Sequence, residues 1–279
     1  MKQAKSFDKP IFEAIIAVAS ITGKVAKSTT ANNLLTPRMP GAKLFRVETI
    51  NVSGDAAGCN GVDVEIEYVR GDDSKKLLEG LSKVRSAVVD VGTSNVENFL
   101  LMLQQEGAQS MFDYFVVPCE AVYEKVNEFQ EFCRTVNALA KLGVAPDRIK
   151  VLFTKLKPGK NVEEEAIRVF NYHKQFPLYT LDRRATVHET PIFGALSRAK
   201  KRYEDFLLDE TDYFLELKNI PMDEPDKREL YVKLGRAKAL VVGFEAEMEN
   251  AFNVLFSNIG TMPKKEGLNL GNFSATEFD

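Results

Sequence analysis

Residues 15–30 of this chain read IIAVASITGKVAKSTT, an apolar run followed by a loop of mostly small residues and then by a Lys-Ser-Thr triplet. The apolar run predicts a buried β-strand, and the triplet opens a segment with helical periodicity. This order of strand, loop, lysine with hydroxyl residue, and helix is typical of loops that bind nucleotide phosphates through backbone N–H groups and a helix N-terminus. The pattern predicts that Lys27 reaches the terminal phosphates and that the Ser28 hydroxyl binds Mg²⁺.

The loop departs from the standard spacing at two positions. A glycine is expected directly before the lysine and again five residues earlier, where this chain has Ala26 and Ile21. Glycine suits such loops because it reaches positive φ and lets phosphate oxygens approach the backbone closely. The alternative is an ordinary strand-to-helix turn with a chance Lys-Ser pair. Under the binding hypothesis, the predicted nucleotide-contacting residues of the loop are Gly23, Lys24, Val25, Ala26, Lys27, Ser28 and Thr29.

Composition places the chain among ordinary globular proteins. Its 279 residues, 44% hydrophobic and 28% charged with a net charge of −3, suffice for one domain with appendages or for two small domains. Without a basic excess, any contact with DNA would need a local patch. Cys59, Cys119 and Cys133 are scattered, which argues against a disulfide framework or a structural zinc site. The first ten residues do not resemble a secretory signal, and no uncharged run reaches membrane-spanning length. We therefore expect a cytoplasmic protein.

Strand-like and helix-like segments alternate along most of the chain, which predicts an α/β fold with a doubly wound, mostly parallel sheet. The predicted strands cover residues 15–20, 43–50, 62–69, 84–90, 114–118, 149–154 and 176–179. The predicted helices cover residues 28–35, 73–81, 96–105, 121–142 and 162–173. Period-two alternation in residues 62–69 indicates an edge strand. From about residue 187 to 258 we expect a C-terminal helical layer, interrupted near Pro221 and Pro225, so that residues 1–258 form one domain and residues 259–279 a flexible tail.

Three carboxylates are further candidates, because ligands of doubly wound sheets bind at the carboxyl ends of the strands. Asp90 closes the apolar run before Gly92, where proteins with a phosphate loop place an acidic residue for the magnesium shell. Glu48 lies in an apolar strand, where a charge is costly unless it is paired or metal-linked, so it is a candidate to orient water. Asp55, in the following loop, competes for that role. The alternatives are a common strand-end carboxylate for Asp90 and an outward-facing edge residue for Glu48.

Five segments together resemble the ParA/MinD group of deviant P-loop ATPases, and most closely its StbB branch from conjugative plasmids. They are TGKVAKSTT at residues 22–30, NLLTPRMPGA at 33–42, FRVETIN at 45–51, VVDVG at 88–92 and YFVVP at 114–118. The resemblance covers roughly the first two hundred residues and is most specific in the first fifty.

The resemblance implies a P-loop protein that binds ATP and Mg²⁺ and forms a homodimer whose hydrolysis cycle positions DNA or another cargo. It also implies a DNA-binding adaptor, possible nonspecific DNA binding, and a role in plasmid stability, positioning or conjugative transfer. Lys27, Glu48 and Asp55 are then the catalytic candidates, and Ser28 and Asp90 the metal ligands.

Departures from the family pattern leave other functions open. The signature lysine of the family falls at Thr22, and Lys24 could substitute for it or obstruct the loop. The usual paired aspartates after the second strand are not clearly present. A weak ATPase, a degenerate P-loop scaffold that binds an adaptor without significant hydrolysis, and a kinase-like enzyme therefore remain alternatives.

Two features bear on the choice of ligand. A guanine site of the Asn-Lys-x-Asp type would need an aspartate where this chain has Lys157, so adenine is favoured, with Thr154 or backbone groups reading its edge. A basic cluster in residues 183–202 is interpreted mainly as solvated surface, with contact to a phosphate backbone as the alternative.

Overall fold

The computed structural model describes residues 12–48, 66–70 and 73–257. Its centre is a seven-stranded sheet in the order β3-β2-β4-β1-β5-β6-β7, and every strand pair is parallel. The strands are β1 Ile15–Val18, β2 Lys43–Glu48, β3 Ile66–Arg70, β4 Ala87–Val91, β5 Tyr114–Glu120, β6 Ile149–Leu156 and β7 Thr186–His188. The α/β prediction is confirmed, and so is the edge position of β3, although residues 62–65 of the predicted edge strand lie outside the described part of the chain.

Helices connect the strands and follow the last of them. The α-helices are α1 Lys27–Thr29, α2 Ser74–Leu81, α3 Val96–Glu106, α4 Val126–Lys141, α5 Val162–Glu165, α6 Ile167–Gln175, α7 Ile192–Ala199, α8 Tyr203–Leu208, α9 Tyr213–Glu216 and α10 Pro225–Phe256. A π-helix covers Thr30–Leu35, and 3-10 turns cover Thr36–Arg38, Thr93–Asn95, Ala108–Met111, Pro146–Arg148 and Leu217–Asn219. None of the helices in the described residues is long and apolar enough to cross a membrane.

The two faces of the sheet bury separate hydrophobic clusters. On β1, Ala17 packs into one cluster, which α2 to α6 cover. Its neighbours Ile16 and Val18 point to the opposite face and pack with α7, α8 and α10. Because both faces are buried, strands such as β1 and β4 read as continuous apolar runs. The C-terminal helices therefore complete the core over one face of the sheet.

Two predictions for the segment between β6 and α7 are wrong. Residues 176–179 do not form a strand; they run as a loop that is anchored by Tyr179, which packs edge-on against Phe132 and donates its hydroxyl to the Val169 carbonyl. Only Tyr179 of this apolar run is buried, whereas Phe176 is exposed, so the run marks a single anchoring side chain in a loop. The last strand is instead β7, and helical structure resumes only at Ile192. The predicted helix at 121–142 begins later, at Val126.

The helix that follows the phosphate-loop motif changes character after one turn. The predicted helix at residues 28–35 is α1 followed by the π-helix, in which the Thr36 N–H bonds to the Ala31 carbonyl five residues earlier. Pro37 has no N–H to donate. The Arg38 guanidinium instead donates to the carbonyls of Asn33, at 3.3 Å, and Leu34, at 3.2 Å.

Arg38 also connects this segment to the C-terminal helix. Its guanidinium lies 2.7 Å from a Glu245 carboxylate oxygen and 3.2 Å from Glu249, both on α10, and it stands over the Tyr203 ring. The arginine side chain is only 6% exposed. The segment that begins at Lys27 is therefore fixed at its far end to α10.

Candidate nucleotide-binding site

The loop between β1 and α1 lies at the carboxyl end of the central strand of the sheet. Strand β1 is paired with β4 on one side and β5 on the other, and Val18 is in register with Asp90. The carboxyl ends of β4, β5 and β6 therefore surround the loop. This edge is where ligands of open parallel sheets bind.

The loop backbone takes left-handed conformations at two residues that are not glycine. Lys24 has φ +61° and Ala26 has φ +64°. Ala26 precedes α1 directly and occupies the position where the standard motif has glycine. The substitution of glycine by alanine is thus accommodated with the backbone in the conformation that glycine would adopt. Gly23, the glycine of the loop, does not have a left-handed φ. The left-handed conformations therefore fall on residues that carry a side chain.

Ala26→Gly is expected to stabilise the protein by about 0.5–1 kcal/mol. The left-handed conformation costs an alanine about 1–2 kcal/mol, which glycine avoids. The greater freedom of glycine in the unfolded chain offsets about 0.4–1 kcal/mol of that gain in stability. Urea unfolding of the variant measures the difference. As a control, Ala138→Gly in the interior of α4 is expected to destabilise by about 1 kcal/mol. Equal losses in the two variants would contradict strain at Ala26.

Lys27 is buried, and acceptors surround its ammonium group. Nζ donates to the carbonyls of Ser20, at 3.0 Å, and Thr22, at 2.7 Å, and to the Thr93 hydroxyl, at 2.7 Å. Burial lowers the pKa of Lys27 to about 8, while the carboxylates of Asp90 and Glu131 act to raise it. The lysine is thus held inside the loop with all three donor hydrogens occupied, in a position where an anionic ligand would compete for them.

Ser28 and Asp90 come together beside Lys27. The Ser28 hydroxyl lies close enough to the Asp90 carboxylate to lower its pKa, and Asp90 is only 2% exposed. Burial raises the pKa of Asp90, and the Ser28 hydroxyl and the Arg46 cation oppose that rise. Asp90 Oδ1 is buried with no hydrogen-bond partner among the described residues. A serine hydroxyl and an incompletely bonded carboxylate are oxygen ligands of the kind that Mg²⁺ takes, so these residues fit the ion.

Glu48, at the end of β2, lies next to this pair. It is half-buried, and its charge acts to raise the pKa of Asp90. Its Cγ would be 3.6 Å from a Cβ placed on Gly92, so it borders the loop that follows β4. The structure therefore brings Glu48 to the predicted site. Asp55 lies outside the described residues.

A cavity of about 300 Å³ opens beside the loop, on the side of β6 and β7. Thr154, predicted to read the base, borders it, but the Thr154 hydroxyl is 3.3 Å from the Val25 carbonyl and 3.4 Å from the Cys119 carbonyl. Two glutamates, Glu120 and Glu189, also line the cavity. A carboxylate can accept hydrogen bonds from a guanine edge, so the preference for adenine, which rests on Lys157, stays a prediction.

Side chains from three elements distant in sequence form hydrogen bonds with the loop segment. None of these side chains was predicted from the sequence to contact the loop. Thr93 accepts from Lys27, and the Thr135 hydroxyl of α4 accepts from the Ile21 N–H at 3.1 Å. The Lys155 ammonium, at the end of β6, donates to the Lys24 carbonyl at 2.5 Å. These contacts span 66, 114 and 131 residues, so no local spacing in the sequence signals them.

The two unusual residues of the loop occupy different environments. Thr22, at the position of the signature lysine of the resembled family, is buried, with its hydroxyl 3.5 Å from the Glu128 carbonyl. Lys24 is exposed, and its contact with Lys155 is through its backbone carbonyl. A role for the Lys24 side chain stays a prediction.

Much of the basic cluster is neutralised within the chain. Arg183 pairs with Glu163 at 3.2 Å, and Arg184 with Asp182 at 2.7 Å. Arg202 pairs with two carboxylates at the start of α8. These ion pairs favour the interpretation of the cluster as solvated surface.

No protein-family model matches the chain, and no curated protein matches it significantly. Among solved structures it is similar to apo McdA from Cyanothece, at 14% identity and a TM-score of 0.46, over 80% of this chain and 98% of that one. It is similar to a plasmid partition protein from Borrelia burgdorferi B31 bound to AMPPNP, at 16% identity and a TM-score of 0.43, over 81% and 99%. A third is cobyrinic acid a,c-diamide synthase from Mycobacterium smegmatis with an ATP analogue and magnesium, at 16% identity and a TM-score of 0.42, over 71% and 95%. The fold and the site define an α/β protein with a strand–loop–helix segment suited to anion binding.

Proposed function

We propose that this chain is a nucleotide-switched ATPase of the ParA/MinD type that binds ATP with Mg²⁺. The observation that carries the proposal is that Lys27 and Ser28, which follow the loop, lie near Asp90 of β4 at the carboxyl end of the central strand. A buried cation beside a hydroxyl and a carboxylate supplies a charge for phosphate oxygens and ligands for a metal in adjacent positions.

Each residue has a separate role in the proposed site. Lys27 exchanges its present acceptors for terminal phosphate oxygens, which releases Thr93. Ser28 and Asp90 would hold Mg²⁺, and that ion would neutralise charge on the phosphates. Glu48 orients an attacking water, a role for which Asp55 is the competing candidate. The other loop residues, Gly23 to Thr29, contribute backbone N–H groups.

The biological role that we propose comes from the sequence resemblance. The protein forms an ATP-dependent homodimer in the cytoplasm and works with a DNA-binding adaptor, as the resemblance to the ParA/MinD group implies. It acts in plasmid stability, positioning or conjugative transfer, as the resemblance to the StbB branch implies. The same proposal includes nonspecific DNA binding through cations that do not belong to the ion pairs described above. Lys200 and Lys201 are the candidates for contact with DNA phosphates.

A second candidate function is a scaffold that binds the adaptor without significant hydrolysis. The observation that favours it is that Lys27 already donates to three acceptors within the chain. The left-handed backbone at Lys24 and Ala26 adds strain where the standard motif has flexible glycine.

Sedimentation velocity and phosphate release, each with and without ATP and Mg²⁺, separate these functions. We expect ATP to shift the chain from monomer to dimer, and DNA with the adaptor to accelerate a slow release of phosphate. ATP-dependent dimerisation without turnover would favour the scaffold. Transfer of phosphate to an added acceptor would favour a kinase-like enzyme.

A further inference from the structure

The end of β6 holds the phosphate-loop segment at two consecutive carbonyl groups. The Thr154 hydroxyl lies 3.3 Å from the Val25 carbonyl oxygen, and the Lys155 ammonium donates to the Lys24 carbonyl oxygen. The two donors are adjacent on one strand, and the two acceptors are adjacent on the loop. The loop is thereby fixed to the sheet on the side opposite to Thr93.

The β6 backbone departs from regular geometry where it makes this contact. Lys155 has φ +55°, a left-handed conformation that is unfavourable for a residue with a side chain. The pairing of β6 with β7 shifts register between Thr154 and Leu156, around Lys155. In a regular strand, successive side chains point to opposite faces of the sheet. The irregularity lets neighbouring side chains, those of Thr154 and Lys155, both reach the loop.

Acidic and basic groups around Lys155 fix its direction. Glu120, at the end of β5, lies 3.8 Å from the Lys155 ammonium and 2.9 Å from that of Lys125. The Glu120 side chain is only 11% exposed, whereas that of Lys155 is 38% exposed. The buried carboxylate therefore attracts the lysine toward the loop.

We propose that Lys155 is a positioning residue that, together with Thr154, holds the carbonyl groups of Lys24 and Val25 toward β6 and so keeps the loop open to phosphates. This inference rests on the proposed function. The contact acts on the backbone of the loop. We therefore expect it to change the affinity for nucleotides with the same phosphates equally, whatever their base. Strain at Lys155 persists because the surrounding contacts impose it, as is common at functional sites.

The test compares Lys155→Met and Lys155→Arg in the chain as a whole, with Lys174→Met as the control at an exposed lysine of α6. Two quantities are measured: hydrogen exchange of the amides of residues 23–26 without nucleotide, and ATP affinity with Mg²⁺ by titration calorimetry. We expect Lys155→Met to accelerate exchange and weaken ATP binding by about fivefold to tenfold each, the effect of one partly exposed charged hydrogen bond. Lys155→Arg is expected to restore most of both, and Lys174→Met to change neither.

The two measurements distinguish failure of the inference from failure of the proposed function. Unchanged exchange in Lys155→Met overturns the positioning role, whether or not ATP binds. Accelerated exchange with unchanged ATP affinity in Lys155→Met would show that Lys155 holds the loop but does not contribute to phosphate binding, which overturns the proposal. If the wild type binds no ATP, the proposed function fails, and faster exchange in Lys155→Met would then support only the contact with the loop. If Lys155→Arg behaves like Lys155→Met in both measurements, the donated hydrogen bond is not the cause.

Discussion

Lys27→Ala is expected to weaken ATP binding by about 100-fold, equivalent to about 2.7 kcal/mol, because it removes the charge that reaches the phosphates. The Lys27 ammonium donates to the Ser20 and Thr22 carbonyls and to the Thr93 hydroxyl. A phosphate group offers stronger, charged acceptors for the same donors. The alanine variant keeps the helix propensity at the start of α1 but leaves the phosphates without this cation.

Titration calorimetry with ATP and Mg²⁺ measures this loss. Lys174→Ala, at an exposed lysine of α6, is the matched control for the removal of one positive charge and is expected to bind like the wild type. Circular dichroism of both variants verifies that they are folded. An unchanged dissociation constant in folded Lys27→Ala would mean that Lys27 is structural and that phosphates bind elsewhere.

Arg38→Met is expected to destabilise the protein by about 2–4 kcal/mol, the cost of breaking a largely buried ion pair. The Arg38 side chain is 6% exposed and contacts Glu245 and Glu249 at 2.7 and 3.2 Å. It also satisfies the carbonyls of Asn33 and Leu34. Because the two glutamates are about one-third exposed and can turn to water, we expect a loss in the lower part of this range.

Urea unfolding of Arg38→Met, compared with Lys233→Met, tests this estimate. Lys233 pairs with Glu229 at 2.6 Å on the same helix α10, but the two side chains are 49% and 66% exposed. We expect Lys233→Met to change the free energy of unfolding by less than about 0.5 kcal/mol. Similar losses in both variants would show that Arg38 does not connect the two segments in an energetically important way.

The fold was predictable where local patterns carry it. The apolar runs of β1 and β4 follow from burial on both faces, and the short loop with Lys27 and Ser28 is a motif of consecutive residues. The strand at 176–179 was predicted wrongly because a short apolar run does not determine conformation, and here only Tyr179 is buried, in a loop. Strand β7 has only three residues, too few for a period to be visible.

The site was predictable only in part. The juxtaposition of Ser28 with Asp90 was expected, because parallel strands end at one edge of the sheet. The contacts of Thr93, Thr135 and Lys155 with the loop depend on pairings between distant segments, which the sequence does not encode locally. Likewise, the left-handed backbone at Ala26 is a property of the folded loop that its alanine side chain disfavours.

Calorimetric titration of the wild-type chain with ATP and with GTP, each in the presence of Mg²⁺, tests the central claim most directly. The arrangement of Lys27, Ser28 and Asp90 predicts saturable binding of ATP, and the argument from Lys157 predicts that GTP binds more weakly. Comparable binding of both would keep the phosphate site and reject the adenine preference. No heat with either nucleotide, in a protein shown to be folded, would contradict the account and leave the adaptor-binding scaffold as the better explanation.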